Sequence, residues 1–274
     1  MKNKTIDGHV HLENGPLTKE YVWEFVRSAQ EKGIETLQIL DHTHRFYEFH
    51  DMYKGVYESA AEQKEWFEKK QMNSIKEYQK LIEEMKKEAF PIEVRFGLEV
   101  CYSPENEPFL RQILAGFPYD FLVGSVHSID GLLYDMDAFS KVLLWEKQDI
   151  SSIYKRYYDR VKAAIESGLF TQIGHPDVIK MYNYPAGYDL LPTYHMLAKA
   201  AKEHHVKMED NTGAHYRYHH EDVGLNDDFR QILMDQGVEI ITASDAHYPK
   251  DVARDFSLLK KQDQAQSWFL QEVC

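Results

Sequence analysis

Apolar residues along this chain follow two spacings in turn. Short, nearly continuous apolar runs, which are typical of buried strands, are separated by segments in which apolar residues recur at helical spacing. The runs predicted to be strands are 5–11, 34–40, 92–98, 119–126, 170–174, 206–209 and 238–243. Since strand and helix alternate about seven times, the pattern predicts parallel strands with helices outside them, as in an α/β barrel.

Helical segments fill the intervals between these strands. After Thr18, which can cap a helix, apolar side chains recur up to Ala29, and Gly33 stands where a helix would end. Segment 58–88 is typical of one long helix or two shorter ones, and further helices are predicted at 104–116, 150–166, 191–202 and 226–235. Barrels of this class commonly reach roughly 250 residues around one core. We therefore expect residues 1–274 to form a single domain.

The composition is that of a globular chain, with 43% hydrophobic and 28% charged residues. No apolar stretch approaches the roughly 20 residues that cross a bilayer. The chain begins Met-Lys-Asn-Lys and enters a strand without the apolar segment of a secretory signal. Its two cysteines, Cys101 and Cys274, provide neither a disulfide framework nor a zinc-knuckle spacing. We therefore expect a cytoplasmic protein that does not bind a membrane.

The acidic balance of the chain bears on its partners. The formal net charge is -13 at pH 7, which would repel nucleic-acid phosphates, because their binding relies on lysine and arginine. A small substrate is therefore favoured over nucleic acid. The content of 14 histidines is a second departure from ordinary usage, and histidine is the commonest metal ligand. The sequence does not indicate an oligomeric state.

Potential metal ligands stand at the ends of the predicted strands. His9 and His11 are two residues apart on an extended strand, so both imidazoles point to the same face. The other candidates, each at or just after an apolar run, are Asp41-His42, Glu99, His127, His175, Asp245 and His247. In a parallel barrel all carboxyl ends of strands meet at one rim, where active sites are built. The sequence therefore predicts a metal site at that rim.

Six short motifs resemble those of the PHP (polymerase and histidinol phosphatase) family of phosphoesterases, in particular its bacterial histidinol-phosphate phosphatases. They are Asp7-Gly8-His9-Val10-His11, Asp41-His42-Thr43-His44-Arg45, Gly97-Leu98-Glu99, Gly124-Ser125-Val126-His127, Ile173-Gly174-His175-Pro176-Asp177 and Ser244-Asp245-Ala246-His247. Their order and spacing cover essentially the whole chain. The resemblance implies an α/β fold, a distorted seven-stranded (β/α)7 TIM-like barrel of the PHP type, with two to three divalent metal ions.

The family pattern, carried over residue by residue, implies three metal sites. They would be His9, His11, Glu99 and Asp245; Glu99, His127 and His175, with Glu99 as a bridge; and His42, His247 and a ligand from the loop after the first strand. Relatives often have a histidine or acid further along that loop, whereas here Glu13 is the only strong ligand close to His11. Glu13 is therefore nominated, and a solvent-facing or helix-capping acid is the alternative. Imidazole and carboxylate suit zinc, manganese or iron.

Such a cluster can generate hydroxide near neutral pH, hold phosphate oxygens and neutralise a leaving alkoxide. We expect attack of metal-bound hydroxide on phosphorus in line, with no covalent phosphoenzyme. Asp245 or His247 could assist proton transfer, although both are also expected to be ligands. The general acid therefore stays open.

Binding of the phosphate outside the metals would fall to side chains in the rim loops. Arg45 and Arg217 are the best candidates, because guanidinium makes paired contacts with phosphate oxygens, and an ordinary surface ion pair is the alternative for each. Lys180 is a weaker third candidate, and Asn211 could orient the substrate or a water molecule.

The resemblance, and not the residue pattern, implies the reaction, which is hydrolysis of L-histidinol phosphate to L-histidinol and phosphate in histidine biosynthesis. One alternative is a PHP phosphoesterase for another small phosphomonoester. Another is an amidohydrolase-type enzyme, which also begins with His-x-His but usually takes ligands from strands four to six and from an eighth strand. A noncatalytic or nucleic-acid-associated barrel is disfavoured by the full ligand set and the acidic charge.

Overall fold

Seven parallel strands form the centre of the computed structural model, which describes residues 5–259. The strands along the chain are β1 (Ile6–His11), β2 (Thr36–Leu40), β3 (Glu93–Cys101), β4 (Phe121–Ser125), the short hairpin β5 (Ser128–Ile129) and β6 (Leu132–Leu133), then β7 (Gln172–Ile173), β8 (Lys207–Asn211) and β9 (Ile240–Ala243). The main sheet has the order β1-β2-β3-β4-β7-β8-β9, and each neighbouring pair is parallel. Sequential order is what a chain of right-handed βα units produces.

One isolated β-bridge, between Val10 and Ala246, and several side-chain hydrogen bonds connect β1 to the end of β9. The backbone N–H of His11 donates to Ala246 O at 2.8 Å. The carboxylate of Asp7, which is fully buried, accepts from the N–H of Ser244 at 2.9 Å and from its hydroxyl at 2.6 Å. We call this junction of β1 with residues 242–246 the seam. It leaves the barrel nearly closed, and the predicted α/β barrel of seven strands is confirmed.

Helices lie around the barrel and at its carboxyl rim. They are α1 (Lys19–Glu31), α2 (Lys54–Tyr57), α3 (Ala61–Lys70), α4 (Ile75–Met85), α5 (Glu107–Leu114), α6 (Ile150–Glu166), α7 (Leu191–His204), α8 (Gly213–Tyr218) and α9 (Asp227–Asp235). Thr18 accepts from the N–H of Tyr21 at 3.3 Å and so caps α1 as predicted. The predicted segment 58–88 forms two helices, because Ser74 and Glu77 make a capping box that starts α4. No helix within residues 5–259 is long and apolar enough to cross a membrane.

The hairpin β5–β6 and the helices α2 and α8 were not predicted. They lie among the loops at the carboxyl rim. The buried amide of Gln63 on α3 donates to Val56 O at 2.7 Å and to Gly131 O at 2.8 Å, and accepts from the N–H of Leu133 at 2.8 Å. These bonds attach α3 to the hairpin. The two elements therefore form one wall beside the rim.

Candidate metal centre

The predicted ligands converge at the carboxyl rim of the barrel. His9 and His11 lie on β1 and Glu99 lies on β3, while His42, His127, His175, Asp245 and His247 follow β2, β4, β7 and β9. β3 continues two residues past Glu99 to Cys101, because its last residues pair with β4. Glu99 therefore projects from inside a strand, and not from the strand end that the apolar pattern predicted.

Glu99 lies at the centre of the cluster and is fully buried. Its Oε1 lies 3.0 Å from Nε2 of His127 and 3.0 Å from Nε2 of His175. Its Oε2 lies 2.8 Å from Nδ1 of His42 and 3.2 Å from Nε2 of His9. The two oxygens of one carboxylate therefore face two different sets of imidazoles, which is the arrangement that a bridging ligand requires.

The His-x-His pair has the geometry expected of metal ligands. Nε2 of His9 and Nε2 of His11 are 2.8 Å apart, and Oδ1 of Asp245 lies 3.2 Å from Nε2 of His11. Two imidazole nitrogens that face each other so closely in a buried site need a cation or a shared proton between them. A buried set of imidazole and carboxylate donors fits a divalent metal ion.

Glu13 belongs to the same cluster. Its side chain is only 4% exposed, and its Oε2 lies 3.2 Å from Nε2 of His42 and 3.8 Å from Nε2 of His247. Its other oxygen contacts the ammonium of Lys70. The alternative interpretation of Glu13 as a solvent-facing acid is therefore wrong, because burial among histidines leaves it little contact with water.

The described residues contain three overlapping groups in which all ligand atoms lie within 4.8 Å of one another. These groups are His11, Glu13, His42 and His247; His9, His11 and Glu99; and His42, Glu99 and His127. They share His11, His42 and Glu99, so adjacent ions would have common ligands. His175 and Asp245 approach these groups through Glu99 and His11, respectively. The cluster can accommodate divalent metal, although the grouping differs in detail from the three implied sites.

Charges within the cluster keep its carboxylates ionised. Burial opposes ionisation of Glu99, but the nearby imidazoles of His42 and His9 hold its pKa well below its ordinary value. Burial likewise opposes ionisation of Asp245, and the guanidinium of Arg217 does most to hold its pKa well below the ordinary range. Both carboxylates are therefore ready to bind cations at neutral pH.

Two acids that we did not predict orient the ligand histidines. Oε1 of the buried Glu209 on β8 accepts from Nδ1 of His9 at 2.8 Å, and its Oε2 accepts from the N–H of His175 at 3.0 Å. Oδ2 of Asp135 accepts from Nδ1 of His127 at 2.7 Å. The two bonds to Nδ1 leave Nε2 of His9 and of His127 free to bind metal.

Arg217 reaches the cluster, where its N–H groups donate to the candidate ligands Asp245 and His247. It lines the cavity above the cluster, and its Nη1 donates to Asp245 O at 3.0 Å and to Nδ1 of His247 at 2.8 Å. Its Nη2 donates to the Asp245 carboxylate. The contact of Arg217 with a phosphate stays a prediction, and the observed contacts hold Asp245 and His247 in place.

The structure does not bring Arg45, Lys180 or Asn211 to the cavity wall. Arg45 is buried, with its guanidinium bound to Asp41 at 2.7 Å and to the carbonyl oxygens of Leu12 and Gly15 at 3.1 and 3.0 Å. Lys180 donates to Asp177, Asp222 and Gly224 O at 2.7, 2.7 and 2.9 Å. Asn211 donates to Glu209 at 2.9 Å. These contacts tie loops and strands together, and none of the three side chains lines the cavity.

A cavity of about 470 Å³ opens above the cluster. Its wall combines the cluster with aromatic and cationic side chains, including Tyr53, Trp66, Tyr216, Tyr218 and Arg254. Apart from Arg217, the sequence analysis had not singled out these wall residues. Tyr53 directly precedes α2, Trp66 lies on α3, Tyr216 and Tyr218 lie on α8, and Arg254 lies in the loop after β9. No local pattern predicts how these segments fold over the rim. The volume suits a small organic molecule.

Comparison with known proteins finds relatives in sequence and in fold. A Deinococcus radiodurans protein named probable histidinol-phosphatase is 32% identical over 168 residues, which make up 61% of this chain and 62% of that protein. A Listeria monocytogenes structure, named as the histidinol phosphatase hisK, has a TM-score of 0.74 at 19% identity over 93% of this chain and 99% of that one. Histidinol phosphate phosphatase from Lactococcus lactis, solved with zinc, L-histidinol and phosphate, has a TM-score of 0.62 at 17% identity over 94% of this chain and 93% of that one.

The solved structures are similar in fold, and the D. radiodurans match spans less than two thirds of that protein's length. The family profile of the PHP domain matches residues 7–213. This range includes the candidate ligands from His9 to His175. Because the profile covers most of the chain, the resemblance seen in the sequence is confirmed, and the chain belongs to the PHP domain family.

Proposed function

We propose that this protein is a metal-dependent phosphoric monoester hydrolase that converts L-histidinol phosphate to L-histidinol and phosphate. The observation that carries the proposal is Glu99, whose two oxygens face separate groups of histidines at the rim of a PHP barrel. The substrate rests on the names of the relatives and on the L-histidinol and phosphate in the L. lactis structure. A biosynthetic phosphatase of this kind would act in the cytoplasm on a small molecule, with residues 1–274 as one domain.

Two or three divalent ions, zinc, manganese or iron, would be held by the cluster. The ligands would be His9, His11, Glu13, His42, Glu99, His127, His175, Asp245 and His247. When bound, such ions lower the pKa of water and neutralise charge on a phosphate. Glu99 would bind between two such groups of histidines, and its negative charge would compensate part of the repulsion between cations held there. Glu209 and Asp135 keep His9 and His127 in the tautomer that presents Nε2.

Asp245 and His247 are proposed to take part in proton transfer as acceptors. Despite its burial, Asp245 stays ionised because Arg217 lowers its pKa. Burial and the same guanidinium lower the pKa of His247 below its ordinary value, so its imidazole is neutral at pH 7. At that pH neither side chain is therefore in its protonated, acidic form. Both suit acceptance of a proton from a nucleophilic water more than protonation of the leaving alkoxide.

The test is a kinetic panel with the purified protein loaded separately with zinc, manganese or iron. L-histidinol phosphate would be compared with other small phosphomonoesters, such as a sugar phosphate and phosphoserine, and metal content would be measured on the same samples. We expect the highest kcat/KM for L-histidinol phosphate. Preference for another phosphomonoester would keep the phosphatase chemistry and replace the substrate, whereas absence of phosphatase activity with every metal would contradict the proposal.

A further inference from the structure

Three side chains with permanent positive charge line the cavity among residues 5–259: Lys70, Arg217 and Arg254. Lys70 contacts the carboxylate of Glu13. Arg217 donates to Asp245 and His247, as described above. Lys70 and Arg217 therefore already bind proposed metal ligands. Arg254 does not contact any of those ligands.

Arg254 has donors left for a ligand. Its Nη1 donates to Oδ1 of Asp251 at 2.7 Å, and this is the side chain's single hydrogen bond within the part of the chain that the structure describes. Its guanidinium carbon lies 4.7 Å from the ring centre of Tyr216, another wall residue. The side chain is 47% exposed. One ion pair and one aromatic face thus hold the group at the cavity while its other N–H groups stay open to solvent.

The backbone around Arg254 is held in an unusual conformation. Its two neighbours, Ala253 and Asp255, have φ values of 53° and 63°, in the left-handed region that residues with a side chain seldom adopt. The segment is fixed from outside: the N–H of Ala253 donates to the buried Asp7 at 2.7 Å, and Arg254 O accepts from the hydroxyl of Thr212 at 2.8 Å. Strained backbone persists where surrounding structure imposes it, and it clusters at ligand-binding sites. Here it sets the direction of one arginine.

We propose that Arg254 binds the phosphate group of the substrate, using the N–H groups that Asp251 leaves open. Guanidinium pairs with phosphate oxygens in a planar, two-point contact, and the contact is strong because both partners are charged. The inference rests on the proposed phosphatase function. It assigns phosphate recognition outside the metals to a residue that the sequence motifs do not include.

The test compares Arg254→Met with Arg254→Lys in the metal-loaded protein. Arg95→Met is the matched control, since Arg95 on β3 is 39% exposed, pairs with Glu93 at 2.6 Å and does not line the cavity. For Arg254→Met we expect KM for L-histidinol phosphate and Ki for inorganic phosphate each to rise about tenfold or more, the scale of a lost charged hydrogen bond. Arg254→Lys should recover part of both losses. Metal content and circular dichroism should match the wild type, and the control should leave all values unchanged.

Unchanged Ki for inorganic phosphate in Arg254→Met would overturn the proposal, even with a raised KM, because the arginine would then contact the organic part of the substrate. If Arg254→Met does not fold, the Ki measured for Arg254→Lys decides in the same way. If the wild type does not hydrolyse L-histidinol phosphate, the proposed function fails, and this result is distinct from a failure of the Arg254 contact. In that case, calorimetric binding of inorganic phosphate to the metal-loaded wild type and to Arg254→Met still tests this contact.

Discussion

Glu209 accepts a hydrogen bond from Nδ1 of His9 at 2.8 Å, and both side chains are fully buried. The same carboxylate accepts from the N–H of His175 and from the side chains of Gln172 and Asn211. One acid on β8 thereby fixes the ring of a proposed ligand on β1 and the backbone of a proposed ligand after β7. A carboxylate that orients a ligand histidine contributes to metal affinity without touching the metal.

Glu209→Gln should therefore weaken metal binding while leaving every predicted ligand in the chain. An amide has one acceptor oxygen in place of two, so at least one of the four donors is left without a partner. We expect metal affinity to fall about tenfold to a hundredfold, measured by competition with a chromophoric chelator. Glu239→Gln is the matched control, because Glu239 pairs with Lys207 and its side chain is 66% exposed. Equal affinities for Glu209→Gln and the wild type would show that the bond to His9 is dispensable.

Glu99→Gln tests the bridge. The amide keeps the shape of the side chain but removes the negative charge between two groups of histidines. We expect loss of at least one metal ion and a fall in kcat of about a thousandfold or more, on the scale of lost metal-ion catalysis. Elemental analysis, kinetics with L-histidinol phosphate and circular dichroism would be run on one preparation. A folded variant with full metal content and normal turnover would mean that Glu99 does not bridge.

Removal of metal should lower stability as well as activity. The cluster connects residues on or after β1, β2, β3, β4, β7 and β9, so ions bound there stabilise the folded state by linkage. After dialysis against a chelator we expect no phosphatase activity and a lower Tm, with both restored by added metal. Full activity in protein shown by elemental analysis to be metal-free would contradict the expectation.

Arg45→Met should act on stability and not on substrate binding. Arg45 binds the fully buried Asp41 at 2.7 Å, and it partly offsets the effect of burial, which raises the pKa of that carboxyl to about 7. Removing one partner of a buried pair costs about 3–5 kcal/mol of unfolding free energy. Chemical denaturation would measure this loss, with Arg95→Met expected to cost less than about 1 kcal/mol as an exposed pair. KM of the folded Arg45→Met protein should stay at the wild-type value. A raised KM together with unchanged stability would instead indicate that Arg45 binds the substrate.

The sequence predicted the barrel and the position of the candidate ligands at its rim, because both follow from local pattern. Apolar runs mark the strands, and in a parallel barrel every strand end lies on one rim, so His42, His127 and His175 could be placed without knowing their neighbours. Glu209 was missed because the predicted strand stopped there. β8 continues to Asn211, and the alternation of side chains along a strand puts residues 209 and 211 on one face.

Other contacts had no local signal. Asp135 reaches His127 because the hairpin β5–β6 folds back over the rim, and the cavity wall depends on where α3 and the loop after β9 come to rest. Arg45 and Lys180 were nominated because guanidinium and ammonium groups bind phosphate. In the structure, nearby acids and carbonyl oxygens take up those groups first. Whether a cationic side chain is free to bind phosphate depends on such tertiary neighbours. The local sequence does not show which residues those neighbours are.

The seam between β1 and residues 242–246 has a consequence for the order of events during synthesis. Asp7 meets Ser244 across 237 positions of sequence, and the ligands of β1 meet Asp245 across a similar interval. Contacts so distant along the chain form late, because bringing the two segments together while the polypeptide between them is unfolded costs a large loss of conformational entropy. A nascent chain leaving the ribosome therefore exposes His9 and His11 long before their partners from the last strand exist. The complete centre assembles only once the chain has been made as far as His247.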